Sequence, residues 1–171
     1  MKIVKTGWWL ALILLIGGCS SMQIAKSGQN PPRLAPRSAI AVVPFYNYTA
    51  TPMAGYSAAS IAKVILEKHG YPAAELAMQP KDDDITDARQ LSTQAKIAKA
   101  KGAGYRYLLD GKVTEWRYKT GIDAEPVAGL VVDLIDTETG KHLYSGSGSK
   151  EALSGSALTL TAQQLLDRLL P

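Results

Sequence analysis

Apolar and polar positions divide the chain into a leader, a polar spacer and a patterned remainder. Trp8 to Ile16 is an unbroken apolar run of nine residues. That is the length of a secretory h-region and too short for a helix to cross a bilayer. Ser20 to Arg37 has little periodicity and contains Gly28, Asn30, Pro31, Pro32 and Pro36, the composition of a tether. As a flexible coil its ends would lie about 25 Å apart. The reading is therefore a signal peptide over 1–18, an N-terminus and flexible tether over 19–37, and one domain over 38–171.

Within that domain, Ala39 to Phe45 is a continuous apolar run, as expected of a strand covered on both faces, and Pro44 ends its ladder. Ala58, Ile61, Ala62 and Ile65 predict a helix over Ser57–His69, with Ser57 as N-cap and Gly70 just past the end. Tyr71 to Met78 is a weaker strand. An acidic loop, Gln79 to Asp87, leads to a second helix over Ala88–Lys101. Its stripe is Ala88, Leu91, Ala95 and Ala98, its basic face Lys96, Lys99 and Lys101, and Gly102 and Gly104 stop it. Three strands follow, Tyr105–Tyr118, Val127–Asp136 and Lys141–Gly148, the second hairpin turning at Glu138-Thr139-Gly140. A last helix over Gly155–Leu170 carries Leu158, Ala162, Leu165 and Leu169 on one face. The order β-α-β-α-β-β-β-α predicts the α/β class, a single-domain sandwich of a mixed β-sheet with flanking helices.

Two details of the β-region depart from plain alternation. Tyr107, Leu109 and Val113 are odd-numbered, whereas Trp116 and Tyr118 are even. With a period of two, that change needs a bulge or puts the aromatics on the opposite face; the expectation is that Trp116 leaves the core of Leu109. The run Ser145 to Ser149 has side chains small enough for another backbone to approach, which reads either as an edge strand or as contact with another subunit.

Charge adds a restriction. Without Lys2 and Lys5 of the leader, the 19 basic and 15 acidic residues become 17 and 15, a net charge of +2. That excludes the concentrated basic surface nucleic acid requires. The charge is unevenly placed: Lys26, Arg33 and Arg37 lack acidic neighbours, while Asp110 to Glu138 holds seven acids against three bases.

Candidate chemistry is sparse. No nucleophile motif is present, and neither His69 nor His142 has a carboxylate at motif spacing. Metal-ligand spacing is absent, and Asp82-Asp83-Asp84 reads as a solvated loop capping a helix. No catalytic residue, metal or cofactor is assigned. Leu15-Ile16-Gly17-Gly18-Cys19-Ser20 looks like the lipobox of bacterial lipoproteins, with Cys19, the single cysteine, as the acylated residue. Serine rather than aspartate after that cysteine implies sorting to the outer membrane. Asp123 and Glu125 lie in a turn beside Trp116, Arg117 and Tyr118. They read as turn solvation or as carboxylates beside aromatics, an arrangement suited to cationic sugars.

Those same residues carry a resemblance. Val43-Pro44-Phe45-Tyr46-Asn47-Tyr48 and, above all, the pattern E-W-x-Y-K-x-G-x-D-x-E-P over Glu115 to Pro126 resemble the PelC family, outer-membrane lipoproteins of the Pel exopolysaccharide secretion system. The resemblance implies a non-enzymatic, periplasm-facing lipoprotein anchored in outer-membrane lipid through Cys19. It implies assembly into a dodecameric homo-oligomeric ring whose acidic funnel guides a cationic amino-sugar polysaccharide to the outer-membrane exporter for biofilm matrix secretion. On it, Asp110, Glu115, Asp123 and Glu125 become candidate guiding acids, and Trp116 and Tyr118 assembly or membrane-side aromatics. Two other readings stay open. A lipoprotein activator or scaffold of a cell-wall synthase would be a monomer. An envelope enzyme would need two carboxylates about 5–10 Å apart across a cleft.

Overall fold

Pro44 splits the first apolar run into two strands because it cannot donate to a ladder. In the computed structural model, which describes residues 20–30, 32–35, 38–76, 91–121 and 124–171, β2 (Ile40–Val42) ends before it and β3 (Tyr46–Asn47) begins after it. Both pair in parallel with the long strand β5 (Tyr107–Tyr118). Strand β4 (Ala73–Glu75) pairs in parallel with β2 on its other side. From β5 the sheet continues antiparallel through β6 (Pro126–Asp136) and β7 (His142–Glu151). It ends on β1 (Ser21–Gly28), giving a seven-stranded sheet in the order β1-β7-β6-β5-β2-β4, with β3 beside β5.

The mixed α/β sheet and the predicted order of its elements are therefore as expected, with β1 and β3 added. β1 corrects the tether. Residues 21–28 form a strand pairing with β7 from Ser21↔Glu151 to Gly28↔Tyr144. All eight of its residues are exposed, so no apolar alternation marked it in the sequence. The close approach at the Ser-Gly run is made by this strand: a Cβ on Gly148 would stand 2.5 Å from the Gln23 carbonyl oxygen. The backbone those small residues admit belongs to the same chain.

Helices cover the two faces unequally. α1 (Ala54–Lys68) and α3 (Leu158–Leu169) pack on one face, where Ala58, Ala62, Leu66, Leu165 and Leu169 join Leu109, Leu130, Val132 and Tyr144 in the main core. α1 begins three residues before the expected cap. Its N-cap is Met53, at a left-handed φ of 60°, and Ser57 lies inside the helix. Gly70, at φ 88°, follows its C-cap as predicted.

On the other face, α2 (Thr93–Gly102) lays Ile97 and Ala100 on Ala41, Val43, Leu108 and Ile135. The expected stripe is corrected here: Leu91 and Ala98 are exposed and Ile97, Ala100 and Lys96 are buried. The acidic loop and residues 88–90 lie outside the described residues. Among the described residues, no helix covers the outer face of β6, β7 and β1 beyond α2.

The phase change in β5 is a bulge. Val113 pairs with Leu130 and Glu115 with Gly129, leaving Thr114 as the extra residue. One added residue moves the inward phase from odd to even positions. Trp116 is thereby returned to the core, 5% exposed, in the same cluster as Leu109 and Val113. Of the two expected alternatives the bulge is the one present, and its consequence differs from the expectation: it corrects the sequence pattern rather than turning Trp116 out.

Candidate functional site: carboxylates at one end of the sheet

β5 and β6 are joined by a turn that the Lys119 N–H closes by donating to the Glu125 carbonyl at 2.8 Å. Asp123, within it, lies outside the described residues. The Lys119 ammonium lies 3.5 Å from Glu125 Oε2 and makes a second, closer ion pair with Glu151 at the end of β7. Hydrogen bonding to Glu151 first, and to Glu125 after it, holds the Lys119 pKa above its ordinary value. The same contacts, Lys119 before Glu125, hold Glu151 below its own. Two carboxylates thus share one lysine.

This cluster adjoins the start of the described chain. Glu151 lies opposite Ser21 in the ladder. Ser20 Oγ donates to the Glu151 carbonyl at 3.0 Å, and the Lys150 ammonium donates to Ser20 Oγ at 3.0 Å. Ser20 and the acidic turn thus belong to the same end of the sheet; Cys19, the residue before it in sequence, lies outside the described residues.

The other predicted residues separate by role. Glu115, on the outer face, pairs with Arg117 at 3.2 Å and stays accessible. Asp110 does not: its side chain is 11% exposed, and Lys96 Nζ donates to Oδ1 at 2.6 Å. The Gly111 N–H also donates to Oδ1 at 2.8 Å, and Thr93 Oγ1 to Oδ2 at 3.1 Å. Lys96 donates again to the Pro44 carbonyl at 3.2 Å, so this buried pair joins α2 to the sheet. Burial and full pairing remove Asp110 from the set of guiding acids. Trp116 is likewise occupied, packed in the core with its carbonyl accepting from Thr51 Oγ1 at 2.6 Å. Tyr118 is half exposed, and its hydroxyl accepts the Leu158 N–H at 3.1 Å, capping α3 where Ala157 has no side chain to do so.

The acidic β-region is less bare than its composition implied. Asp136 pairs with Arg106 and Glu138 with Lys101, each at 3.1 Å. Asp133 Oδ1 accepts from Ser145 Oγ at 2.6 Å and lies 3.1 Å from His142 Nδ1. His69 meets Asp167 at 3.1 Å. Both histidines therefore have carboxylates in space that spacing did not show. In the first group serine and histidine both contact aspartate rather than each other, which is not a nucleophile–base pair. Among the described residues, no group of three or more His, Cys, Asp or Glu could hold a metal, and no helix is long and apolar enough to cross a membrane.

The sequence reading missed Lys119, Glu151 and Ser20 as partners. Extending the alternation Ser145, Ser147, Ser149 by two more positions reaches Glu151 on the same face. That was the available signal.

A mixed sheet with helices on both faces defines the class: a small single-sheet α/β domain. A lipoprotein of Neisseria meningitidis, GNA1162, shares this fold at 20% identity and a TM-score of 0.57 over 77% of this chain and 94% of its own. No protein-family model matches the chain, and no curated protein sequence matches it. The PelC dodecamer of Paraburkholderia phytofirmans is similar at 33% identity and a TM-score of 0.72, covering 86% of this chain and 94% of that one. A substituted form of that dodecamer is similar at 35% identity and a TM-score of 0.69, over 88% and 94%. The chain belongs to the PelC family.

Proposed function

We propose that this chain is the outer-membrane lipoprotein subunit of a homo-oligomeric ring that guides a cationic amino-sugar polysaccharide to an outer-membrane exporter. The observation that carries the reading is the similarity to PelC dodecamers over nearly the whole domain, at 33% and 35% identity. The geometry supports it in two ways. Glu125 and Glu151 share Lys119, so each subunit brings two carboxylates to one end of its sheet. Repeated by ring symmetry, such charges raise the local concentration of a polycation without any one contact trapping it.

The second support is the position of β1. The strand starts two residues after Cys19. Acyl chains on that cysteine hold the Lys119–Glu125–Glu151 end of the domain close beneath the outer membrane, without an intervening tether. Tyr118 and Leu153, each about half exposed, lie on the segments that meet at this end. The domain then faces the periplasm and its acidic end faces the exporter.

Native mass of the lipidated chain extracted in mild detergent tests the assembly. A ring of about a dozen subunits is expected. A monomer at micromolar concentration would overturn the reading and return the chain to the monomeric scaffold class.

A further inference from the structure

The outer face of the sheet, which α2 alone of the described helices covers in part, holds a feature that the acidic turn does not use. Tyr46 and Tyr48 project from β3 and the loop after it, their ring centroids 4.6 Å apart with planes tilted by 38°. They are 38% and 62% exposed. Their backbone is firmly held. The Tyr48 N–H donates to the Val113 carbonyl at 2.9 Å. Between them the buried Asn47 donates to the Thr51 carbonyl at 2.8 Å and accepts from Thr49 N and Oγ1 at 2.9 and 2.7 Å. Two aromatic rings are thus fixed in solvent on a rigid support.

The sheet register shows what lies beside them. Tyr46 is aligned with Lys112, Lys112 with Val131, Val131 with Ser147 and Ser147 with Ala25. This is one row across five strands, roughly 19 Å long at about 4.8 Å per strand. In the next row Glu115 is aligned with Gly129, Gly129 with Ser149 and Ser149 with Gln23. A shallow trough of about 390 Å³ runs through these rows, lined by Thr114, Ser147, Ser149 and Gln23 among others. From Tyr48 to β1 the face is therefore aromatic, then charged, then a mixture of the apolar Val131 and Ala25 with hydroxyls and an amide.

We infer that this face is a saccharide-binding surface for a partly N-acetylated amino-sugar chain. The apolar faces of the sugar rings stack on Tyr46 and Tyr48 as aromatic platforms. Glu115, paired with Arg117 through Oε1 but still accessible, takes the ammonium of a free amino sugar beside that pair, and the Lys112 ammonium donates to acetyl or hydroxyl oxygens. The serine and glutamine side chains bond the hydroxyls that follow. Beyond the tyrosines the trough combines Thr114, Ser147, Ser149 and Gln23 with Val131, Leu130, Ala25 and Ile24; a second copy of this chain is the competing occupant, and native mass separates the two below. The inference rests on the polysaccharide reading but differs from charge guidance in one respect: stacking acts on acetylated, uncharged sugars too.

The test uses the full, assembled chain with two probes, a neutral N-acetylhexosamine hexamer and its de-N-acetylated counterpart, titrated calorimetrically. The neutral hexamer is expected to bind with an affinity insensitive to salt. Tyr46→Ala with Tyr48→Ala should weaken it about fivefold or more, the scale of aromatic stacking. Tyr46→Phe with Tyr48→Phe should leave it unchanged, with native mass constant throughout. Failure of the neutral hexamer to bind, or equal binding by the double alanine variant, overturns the inference. A changed native mass with unchanged glycan affinity also overturns it, by assigning the tyrosines to contact between copies. Charge guidance fails separately, through the salt dependence of the de-N-acetylated probe.

Discussion

Thr114 Oγ1 lies 2.5 Å from the point where a Cβ on Gly129 would stand. Only glycine opposite the bulge lets the extra residue of β5 fold over β6, and the bulge is what brings Trp116 inside. Trp116→Ala should therefore cost roughly 3–5 kcal/mol as a core truncation. Gly129→Ala should cost roughly 1–3 kcal/mol through overpacking, since the Glu115 backbone N at 3.1 Å also stands in the way. Deleting Thr114 removes the bulge and turns Trp116 outward, so urea unfolding should find that chain destabilised about as much as Trp116→Ala. A deletion that unfolds like the parent chain would contradict this account of the strand.

How much of this was legible follows from where information sits in a strand. β5, β6, β7, α1 and α3 bury one face against a core, and their apolar spacing marked them. β1 buries no residue, so its existence depends on the backbone edge of β7, which no side-chain pattern records. The position of Asp110 was hidden similarly. Its partner Lys96 is fourteen residues away on a helix whose buried side depends on where the sheet lies. Glu125 and Glu115 were legible as exposed acids because turns and outer faces solvate charge by default. That Lys119 joins Glu125 to Glu151 required knowing that β7 ends beside the turn.

Gly148 separates β7 from β1 in the same way that Gly129 admits the bulge. A Cβ there meets the Gln23 carbonyl, so Gly148→Ala should push β1 off the sheet edge while β5–β7 stay paired. Hydrogen exchange should show faster exchange in Ser21–Gly28 and in the β7 amides that bond to it, with β5 and β6 unchanged. Uniformly faster exchange across β6 would show that β1 is not a separable edge.

Asp136 gives the fold an acid limit. Burial would raise its pKa, but hydrogen bonds from Arg106 and from the Thr139 and Glu138 amides outweigh that and hold it below the ordinary 3.8. Asp167 is lowered as well, by Lys68 first and then by His69 against burial. A carboxylate with a depressed folded pKa stabilises fully above its unfolded value and loses that contribution as pH falls through the folded one. The difference in urea midpoint between the parent chain and Asp136→Asn should therefore be constant from pH 7 to about 5 and shrink below about 4. A difference that grows on acidification would have the wrong sign.

The anchor is tested by Cys19→Ser. The lipid-anchor reading predicts that the variant moves from the outer-membrane fraction to the soluble periplasmic fraction. Its domain should remain folded, since β1 starts beyond Cys19. Unchanged fractionation would remove the lipid anchor and with it the placement of the acidic end beneath the membrane.

The central claim is that carboxylates at one end of each subunit guide a polycation. Its most direct measurement is the affinity of the assembled chain for a de-N-acetylated amino-sugar oligomer at about 0.02 M and 0.5 M salt, with Asp123→Asn, Glu125→Gln and Glu151→Gln combined. The account predicts binding that weakens steeply with salt in the parent chain, and a variant that loses affinity mainly at low salt with native mass unchanged. Equal affinities for parent and variant at low salt would contradict it.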